Sequence, residues 1–367
     1  MTAVLTGAVF LAAMLAVVAG LGLFIVGVRL LRLVRERRRA RLTAPLRILL
    51  IELTCEDEAE ETAAARQLAG LDRRRWAALE PMASALLGKV TGRARTALVG
   101  VFERHGAVEQ ARARLRRHGS VGRARAAELL GSLGHREAAP ALIPLLHSRD
   151  PDLRATAARA LGRLGDSGAV PALLDCLSGR RRVPPPVVTE ALVGLGPDAE
   201  GAIAAGLRHS DALARAVAVE ALAATGSPAQ TDALAAALTG DPSPEVRVRA
   251  ARALGTIGAP GGLEPLLEAV DPAHPTVLRA TAAEALGSVG AAGTAPRLRA
   301  LLADPAHRVA AAAATALDRL GPAGRHELEV AARGGDGPRA AAHAVAVLAE
   351  AALPAAQSAS DAAGTAW

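Results

Sequence analysis

The stretch DPDLRATAARALGRLG, residues 150–165, decides the fold because its pattern returns along the chain. It recurs as DPSPEVRVRAARALGTIG at 241–258 and, with more substitutions, at 271–290. One Leu anchors the pattern and recurs at a nearly constant spacing; the anchors are Leu130, Leu161, Leu192, Leu222, Leu254, Leu286 and Leu317. A regular period of this kind, about 30 residues, is typical of a solenoid, in which each repeat is one small supersecondary unit.

Each repeat is predicted to contain two helices. In the opening stretch Asp150 can cap a helix N-terminus, because its carboxylate can accept from the first free backbone N–H groups. Leu153 and Leu161 fall on one helix face, and Gly165 can take the left-handed conformation that ends a helix. The following AVPALLDCL, residues 169–177, predicts a second and shorter helix. One such pair cannot bury its apolar face alone, whereas stacked pairs can.

The stretch DPDLRATAARALGRLGDSGAVPALLDCL, residues 150–177, resembles the HEAT repeat, specifically the bacterial HEAT-like type named after phycobilisome lyases. The resemblance covers about residues 118–333. It implies an all-α protein, an α-α superhelix or HEAT-like repeat solenoid, whose concave face holds a partner. A fold alone does not name that partner.

An arginine stands at the same position ahead of the anchor in five of the seven repeats. We interpret this series as a structural ladder, in which each Arg bonds the turn or the Asp of a neighbouring repeat. A ligand-binding role is the alternative. The series consists of Arg123, Arg154, Arg215, Arg247 and Arg279.

The rest of the chain predicts a linear domain order around the repeats. We expect a transmembrane helix at 1–31 with its N-terminus outside and its C-terminus inside, an Arg-rich juxtamembrane segment at 32–47, divergent helical pairs at 48–117, about seven HEAT-like repeats at 118–333, a C-terminal capping helix at 334–352, and a disordered tail at 353–367.

The N-terminal stretch 3–28 carries no charged residue, and a bilayer core needs about 20 apolar residues in a helix. Basic residues follow it, so the positive-inside rule predicts a single pass through the cell (cytoplasmic) membrane with the solenoid in the cytoplasm. Residues 3–28 would then contact membrane lipid. The membrane-proximal basic residues are Arg29, Arg32, Arg35, Arg37, Arg38, Arg39 and Arg41.

The formal net charge of +7 is concentrated rather than spread. Residues 29–47 hold eight Arg against one Glu, which leaves the remaining chain balanced. A second basic region, 72–128, leaves binding of nucleic acid or anionic lipid open as an alternative. Proteins that bind single strands need aromatic stacking platforms, and the chain has no Tyr, three Phe and two Trp. We therefore do not expect nucleic acid to be the partner.

Motifs that carry chemistry are missing from the sequence. It contains no CxxC, no HExxH and no Gly-rich phosphate loop. Deoxyhypusine hydroxylases, which are HEAT-repeat enzymes, bind iron through repeated His–Glu pairs, and this chain has one such pair, His326–Glu327. We therefore expect no catalytic, cofactor-binding or metal-binding residue, no cofactor, no small-molecule substrate and no enzymatic activity. A phycobilin-lyase-like or other HEAT-repeat enzyme is the less favoured alternative.

One repeat departs from the others at SGRRRVPPP, residues 178–186. Arg180, Arg181 and Arg182 replace the usual Asp cap, and three Pro follow them. We interpret this rigid basic loop as a candidate partner-binding site, because Arg is favoured at binding hot spots; an irregular turn is the alternative. The sequence thus predicts a membrane-anchored cytoplasmic scaffold or adaptor for a membrane-associated protein partner, such as an accessory subunit of a membrane enzyme complex.

Overall fold

The computed structural model describes residues 20–24, 26–30, 44–54, 58–117 and 119–364; the side chain of Glu58 and those beyond Ala351 fall outside this description. Within these ranges all regular secondary structure is helical, and no strand occurs. The chain forms two compact units, Met1–Ala113 (unit 1) and Arg114–Trp367 (unit 2). The predicted all-helical repeat solenoid is confirmed.

Unit 2 contains seven repeats of a first helix followed by a second helix. The first helices are Ser120–Leu133, Pro151–Leu164, Pro185–Gly194, Ala212–Thr225, Pro244–Ile257, Thr276–Val289 and His307–Arg319. The second helices are Ala139–Leu142, Val170–Asp175, Glu200–Ala205, Thr231–Gly240, Leu263–Ala269, Ala295–Leu301 and Pro322–Ala332. In repeats 1 to 6 a 3-10 turn leads into the second helix; these turns are Arg136–Ala138, Ser167–Ala169, Pro197–Ala199, Pro228–Gln230, Pro260–Gly262 and Ala292–Thr294. Further 3-10 turns, Ile143–His147 and Gly206–Arg208, extend the second helices of repeats 1 and 3.

The ends of the first helices follow the predicted chemistry. The carboxylate of Asp150 accepts from the backbone N–H groups of Asp152 at 3.0 Å and Leu153 at 3.4 Å. At the other end Gly165 has φ +68°, which confirms the left-handed end that only Gly adopts at little cost. The helix boundaries are therefore set locally, by the residues at each end.

The core of unit 2 is one continuous stack. Each first helix packs against the first helix of the next repeat, from Ser120–Leu133 through to His307–Arg319. All seven anchor leucines lie in this stack and are buried. Full burial of one Leu contributes about 1.5–3 kcal/mol, so every repeat adds to the stability of its neighbours.

Glycines directly after the anchors allow the first helices to approach closely. A Cβ on Gly131 would lie 2.7 Å from the Cα of Ala160 in the next repeat, and a Cβ on Gly162 would lie 2.5 Å from the carbonyl oxygen of Ala191. Gly255 and Gly287 are in the same position. Because real Cβ atoms do not sit so close to a backbone, these four sites need Gly.

Unit 1 is a smaller helical bundle. It includes the helices Arg47–Glu52, Glu58–Ala69, Arg73–Leu87 and Gly92–Arg104, and Ala107–Leu115 runs over its boundary. Trp76 stacks on His105 with ring centroids 4.2 Å apart and meets Phe102 edge-on at 5.0 Å. Trp76 and Phe102 are buried. These aromatic rings therefore fill a core and form no exposed stacking platform.

The last helix is longer than the predicted cap at 334–352. It runs Pro338–Gly364 and enters the region 353–367 for which the sequence predicts a disordered tail. The segment is rich in Ala, which has the highest intrinsic helix propensity, so the helix continues past the buried contacts of Ala340 and Ala344. Residues 365–367 lie outside the described residues.

The predicted single-pass membrane localisation is overturned. Of the proposed span, only 20–24 and 26–30 are described, both helical, and the rest lies outside the described residues. Among the residues that the structure describes, no helix has both the length and the apolar character needed to span a bilayer, a crossing that takes about 20 residues. Arg29 is exposed, whereas Arg32, Arg35, Arg37, Arg38, Arg39 and Arg41 fall in the undescribed segment 31–43.

Candidate partner-binding site

The arginine series connects neighbouring inter-repeat turns. The Arg215 guanidinium donates from Nε and Nη2 to the carboxylate of Asp241, at 2.7 and 2.9 Å, and from Nη1 to the carbonyl oxygen of His209 at 2.9 Å. Arg279 pairs with Asp304, also at the start of the next turn, through Nη1 alone, and its Nε has no hydrogen-bond partner within the described part of the chain. Arg215 and Arg279 are both buried. Their guanidinium groups therefore hold neighbouring repeats together and are not exposed to a ligand in solution.

The Asp241–Arg215 pair is held in its charged form. Burial raises the pKa of Asp241, but the hydrogen bonds from Arg215 and from the Ser243 N–H outweigh this effect, and the pKa ends below its ordinary value. The hydrogen bond to Asp241 in turn raises the pKa of Arg215. Both groups therefore stay ionised at neutral pH.

Two other members of the series, Arg154 and Arg247, donate to backbone carbonyls. Arg154 donates from Nη1 to the Ser148 oxygen at 3.0 Å and from Nε to the Arg182 oxygen at 3.3 Å. Arg247 donates from Nε to the Leu238 oxygen at 2.9 Å. Arg123 is half-buried, and its Nε has no hydrogen-bond partner within the described part of the chain.

Hydrogen bonds hold the loop that carries Arg180, Arg181 and Arg182 in a fixed conformation. The Val183 N–H donates to the Cys176 oxygen at 3.1 Å and closes the loop. Within it, the Arg182 Nε donates to the Gly179 oxygen at 2.9 Å. Pro185 begins the following helix at once, as the three prolines predict. A loop that is already ordered loses little entropy when it binds a partner.

Hydrogen bonds join this loop to the turns on both sides. The Arg181 Nη1 donates to the His147 oxygen at 3.3 Å in the preceding turn. The Ser178 hydroxyl donates to the carboxylate of Asp211 in the following turn at 2.5 Å. Three consecutive turns, at the ends of repeats 1, 2 and 3, therefore form one connected edge.

Five exposed arginines lie on these three turns, and we call them the basic turn edge: Arg149, Arg180, Arg181, Arg182 and Arg208. Of the carboxylates that the structure describes, none contacts these guanidinium groups. The nearby acids are engaged elsewhere, since Asp150 caps a helix, Asp175 lies 3.0 Å from His209, and Asp211 accepts from Ser178. The edge therefore carries an excess of positive charge, because Asp150 and Asp211 on the same turns offset only part of the charge of the five arginines.

Two arginines of the first helices, unlike those of the basic turn edge, are paired with carboxylates. Arg159 pairs with Glu190 of the next repeat at 3.3 Å, and Arg249 pairs with both Glu220 and Glu245. Sequence reasoning identified Arg180–Arg182 but missed Arg149 and Arg208. A usable signal existed, because Arg149 and Arg180 occupy the same position relative to the anchors of their repeats.

The second basic region, 72–128, is divided between the two units. In unit 1, Arg75 pairs with Asp72 at 3.4 Å and Arg93 pairs with Glu61 at 2.9 Å. Some of its charge is therefore neutralised internally.

Groups suited to catalysis do not converge in the part of the chain that is described. No cluster of three or more His, Cys, Asp or Glu that could hold a metal ion occurs there. Cys176 is buried and its Sγ–H donates to the Leu173 oxygen at 3.0 Å. Burial raises the pKa of its thiol to about 12, so the group is a thiol in the core and not a nucleophile.

A family profile described as HEAT repeats matches residues 108–196, 200–286 and 231–318, which together exceed half of the chain. No curated protein matches the sequence.

Several solved structures are similar to this chain. An engineered protein is 21% identical, covering 83% of this chain and 98% of its own, with a TM-score of 0.34. Human deoxyhypusine hydroxylase in complex with glycerol is 20% identical over 71% of this chain and 96% of its own, with a TM-score of 0.31. Kap95p, in a structure concerning RanGDP, is 14% identical over 83% of this chain and 48% of its own, with a TM-score of 0.47. Likenesses at such low identity concern the fold alone.

Proposed function

The chain belongs to the HEAT-repeat family, and from this premise we propose that it is a scaffold or adaptor without enzymatic activity that binds a protein partner through the basic turn edge. Within the family we assign it to the HEAT-like type named after phycobilisome lyases, on the DPDLR and RALG pattern at 150–162.

One observation carries the proposal. Five exposed arginines without a carboxylate partner lie on three turns that are already bonded to one another. Arginine forms paired hydrogen bonds with carboxylates. Because hydrogen bonds already order the loop before binding, little conformational entropy is lost when a partner binds. The edge is therefore suited to an acidic protein segment.

Charge alone also fits nucleic acid, but the chemistry of the edge favours protein. Binding of single strands draws much of its energy from bases stacked on aromatic rings. The three turns contain no Phe, Tyr or Trp. Trp76 and Phe102 are buried in unit 1, which leaves Phe24 as the exposed Phe, Tyr or Trp side chain among the described residues. An acidic peptide needs no such platform, because carboxylates and guanidinium groups supply both attraction and orientation.

We expect the triple variant Arg180→Ser, Arg181→Ser, Arg182→Ser to bind a fluorescein-labelled peptide of Glu and Asp about tenfold more weakly than the wild-type chain. Each exposed charge pair contributes about 0.5 kcal/mol, so three lost pairs cost about 1.5 kcal/mol, which is roughly tenfold in affinity. Fluorescence anisotropy at low ionic strength measures the dissociation constant. The matched control is Arg125→Ser, Arg163→Ser, Arg252→Ser, which removes the same charge from exposed positions on first helices.

The control variant is expected to bind the peptide like the wild type. Equal weakening by both triple variants would show that binding depends on net charge alone and would contradict the proposed site. Tighter binding of single-stranded RNA than of the acidic peptide, with the edge variant unaffected, would favour the region 72–128 and nucleic acid instead.

A further inference from the structure

A groove lies between the second helices of repeats 3 and 4, next to the basic turn edge. Its volume is about 410 Å³, within the range of small ligand pockets. Small or apolar residues form most of its lining: Ala204, Leu207, Ala233, Ala236, Ala237 and Gly240. Ala236 is exposed and Ala233 is half-buried, so the groove opens to solvent.

In repeat 4 the groove is lined by a small residue at a position where repeats 2 and 5 carry an acidic one. Relative to its anchor, Leu222, Ala236 occupies the position that Asp175 occupies in repeat 2 and Glu268 in repeat 5. Those two acidic side chains are exposed. A methyl group at Ala236 therefore leaves both space and an apolar surface that the equivalent sites in repeats 2 and 5 lack.

Charged groups close one end of the groove. Arg208 and His209 line it there, beside the Arg215–Asp241 pair. That pair is internally neutralised, with Nε to Oδ2 at 2.7 Å. Arg208 belongs to the basic turn edge and has no carboxylate partner in the described ranges. The groove thus leads from an apolar floor directly to unpaired positive charge.

We propose that this groove takes an apolar side chain of about the size of Leu from a partner segment whose flanking Glu or Asp residues bind the basic turn edge. The inference rests on the proposed function and adds to it the sequence class of the partner: an apolar residue within an acidic run. The apolar floor disfavours a charged side chain of the partner in the groove. Arg208 at the end of the groove favours an acidic residue next to the apolar one by charge complementarity. Transfer of an apolar side chain from water into a groove lined by methyl groups is favourable in free energy.

Two labelled peptides test this specificity. One is a short run of Glu and Asp with a central Leu, and the other has Ala in place of that Leu. We expect the wild-type chain to bind the Leu peptide about tenfold more tightly than the Ala peptide, which is about 1.4 kcal/mol. The variant Ala236→Phe fills the groove, and with it the two peptides should bind equally and about as tightly as the Ala peptide binds the wild type.

The matched control is Ala300→Phe, at the equivalent exposed position of repeat 6 relative to the anchor Leu286. This control should keep the tenfold preference for Leu. Equal binding of the two peptides by the wild-type chain, or a preference that survives Ala236→Phe, would overturn the groove inference and leave the edge intact. Failure of the wild-type chain to bind either peptide would overturn the proposed function, and the groove inference with it.

Discussion

Replacing Asp241 by Asn is expected to lower the free energy of unfolding of the chain by about 3 kcal/mol, the range in which breaking a buried ion pair falls. The substitution keeps the size of the side chain but leaves the Arg215 charge without its partner. Both side chains are largely buried, at 10% and 4% exposure, so water cannot replace the lost carboxylate. Urea unfolding followed by far-UV circular dichroism measures the loss.

The control for this substitution lies in the same repeat. Glu220 pairs with Arg249, but these side chains are 42% and 26% exposed, so Glu220→Gln should cost less than about 1 kcal/mol. Adding Arg215→Met to Asp241→Asn removes the unpaired charge and should recover part of the lost stability, a non-additive result. Equal small losses for Asp241→Asn and Glu220→Gln would contradict the structural role of the ladder.

The same pair has a pH signature. The pKa of Asp241 in the folded chain lies below its ordinary value of 3.8. Its stabilisation is therefore complete above pH 3.8 and is lost as the pH falls from there through the lower folded pKa. As the pH falls below 3.8, the Asp241→Asn variant should therefore lose less stability than the wild type does.

Gly131→Ala and Gly122→Ala should change stability in opposite directions, although both lie in the helix Ser120–Leu133. The new methyl group at Gly131 would meet the Cα of Ala160 at 2.7 Å, whereas at Gly122 nothing lies within 4 Å. Overpacking of a core costs about 1–3 kcal/mol. An exposed Gly→Ala change in a helix gains up to about 1 kcal/mol.

We therefore expect Gly131→Ala to destabilise the chain by about 2 kcal/mol and Gly122→Ala to stabilise it by about 0.5 kcal/mol. Thermal unfolding of both variants beside the wild type measures the two shifts. If Gly131→Ala were as stable as Gly122→Ala, the first helices of repeats 1 and 2 would not approach as closely as the structure shows.

Much of the repeat fold could be predicted from the sequence because its determinants are local and recur. The cap at Asp150 and the left-handed end at Gly165 depend on a few neighbouring residues each. The close approach at Gly131 was harder to predict, since the clash involves Ala160 of another repeat. The sequence signal there is a Gly directly after the anchor Leu, and it is present in only some repeats.

The candidate site was predicted in part, for the same physical reason. Arg180–Arg182 are adjacent in sequence and are conspicuous as a run. Arg149 and Arg208 join them only because hydrogen bonds bring three turns together. The groove at Ala236 rests on the absence of a large side chain, which no motif reveals. The membrane prediction was wrong: among the residues that the structure describes, no helix is long and apolar enough to span a bilayer.

Hydrogen–deuterium exchange of the full chain, with and without the acidic Leu peptide, tests the binding surface most directly. If the basic turn edge is the site, exchange should slow in the three turns that carry it, at 147–150, 178–183 and 206–211, and along the groove helix Thr231–Gly240. Exchange in the first helix of repeat 6, Thr276–Val289, should not change. Protection confined to unit 1 and residues 114–128, with these turns unchanged, would contradict the account and place binding in the other basic region.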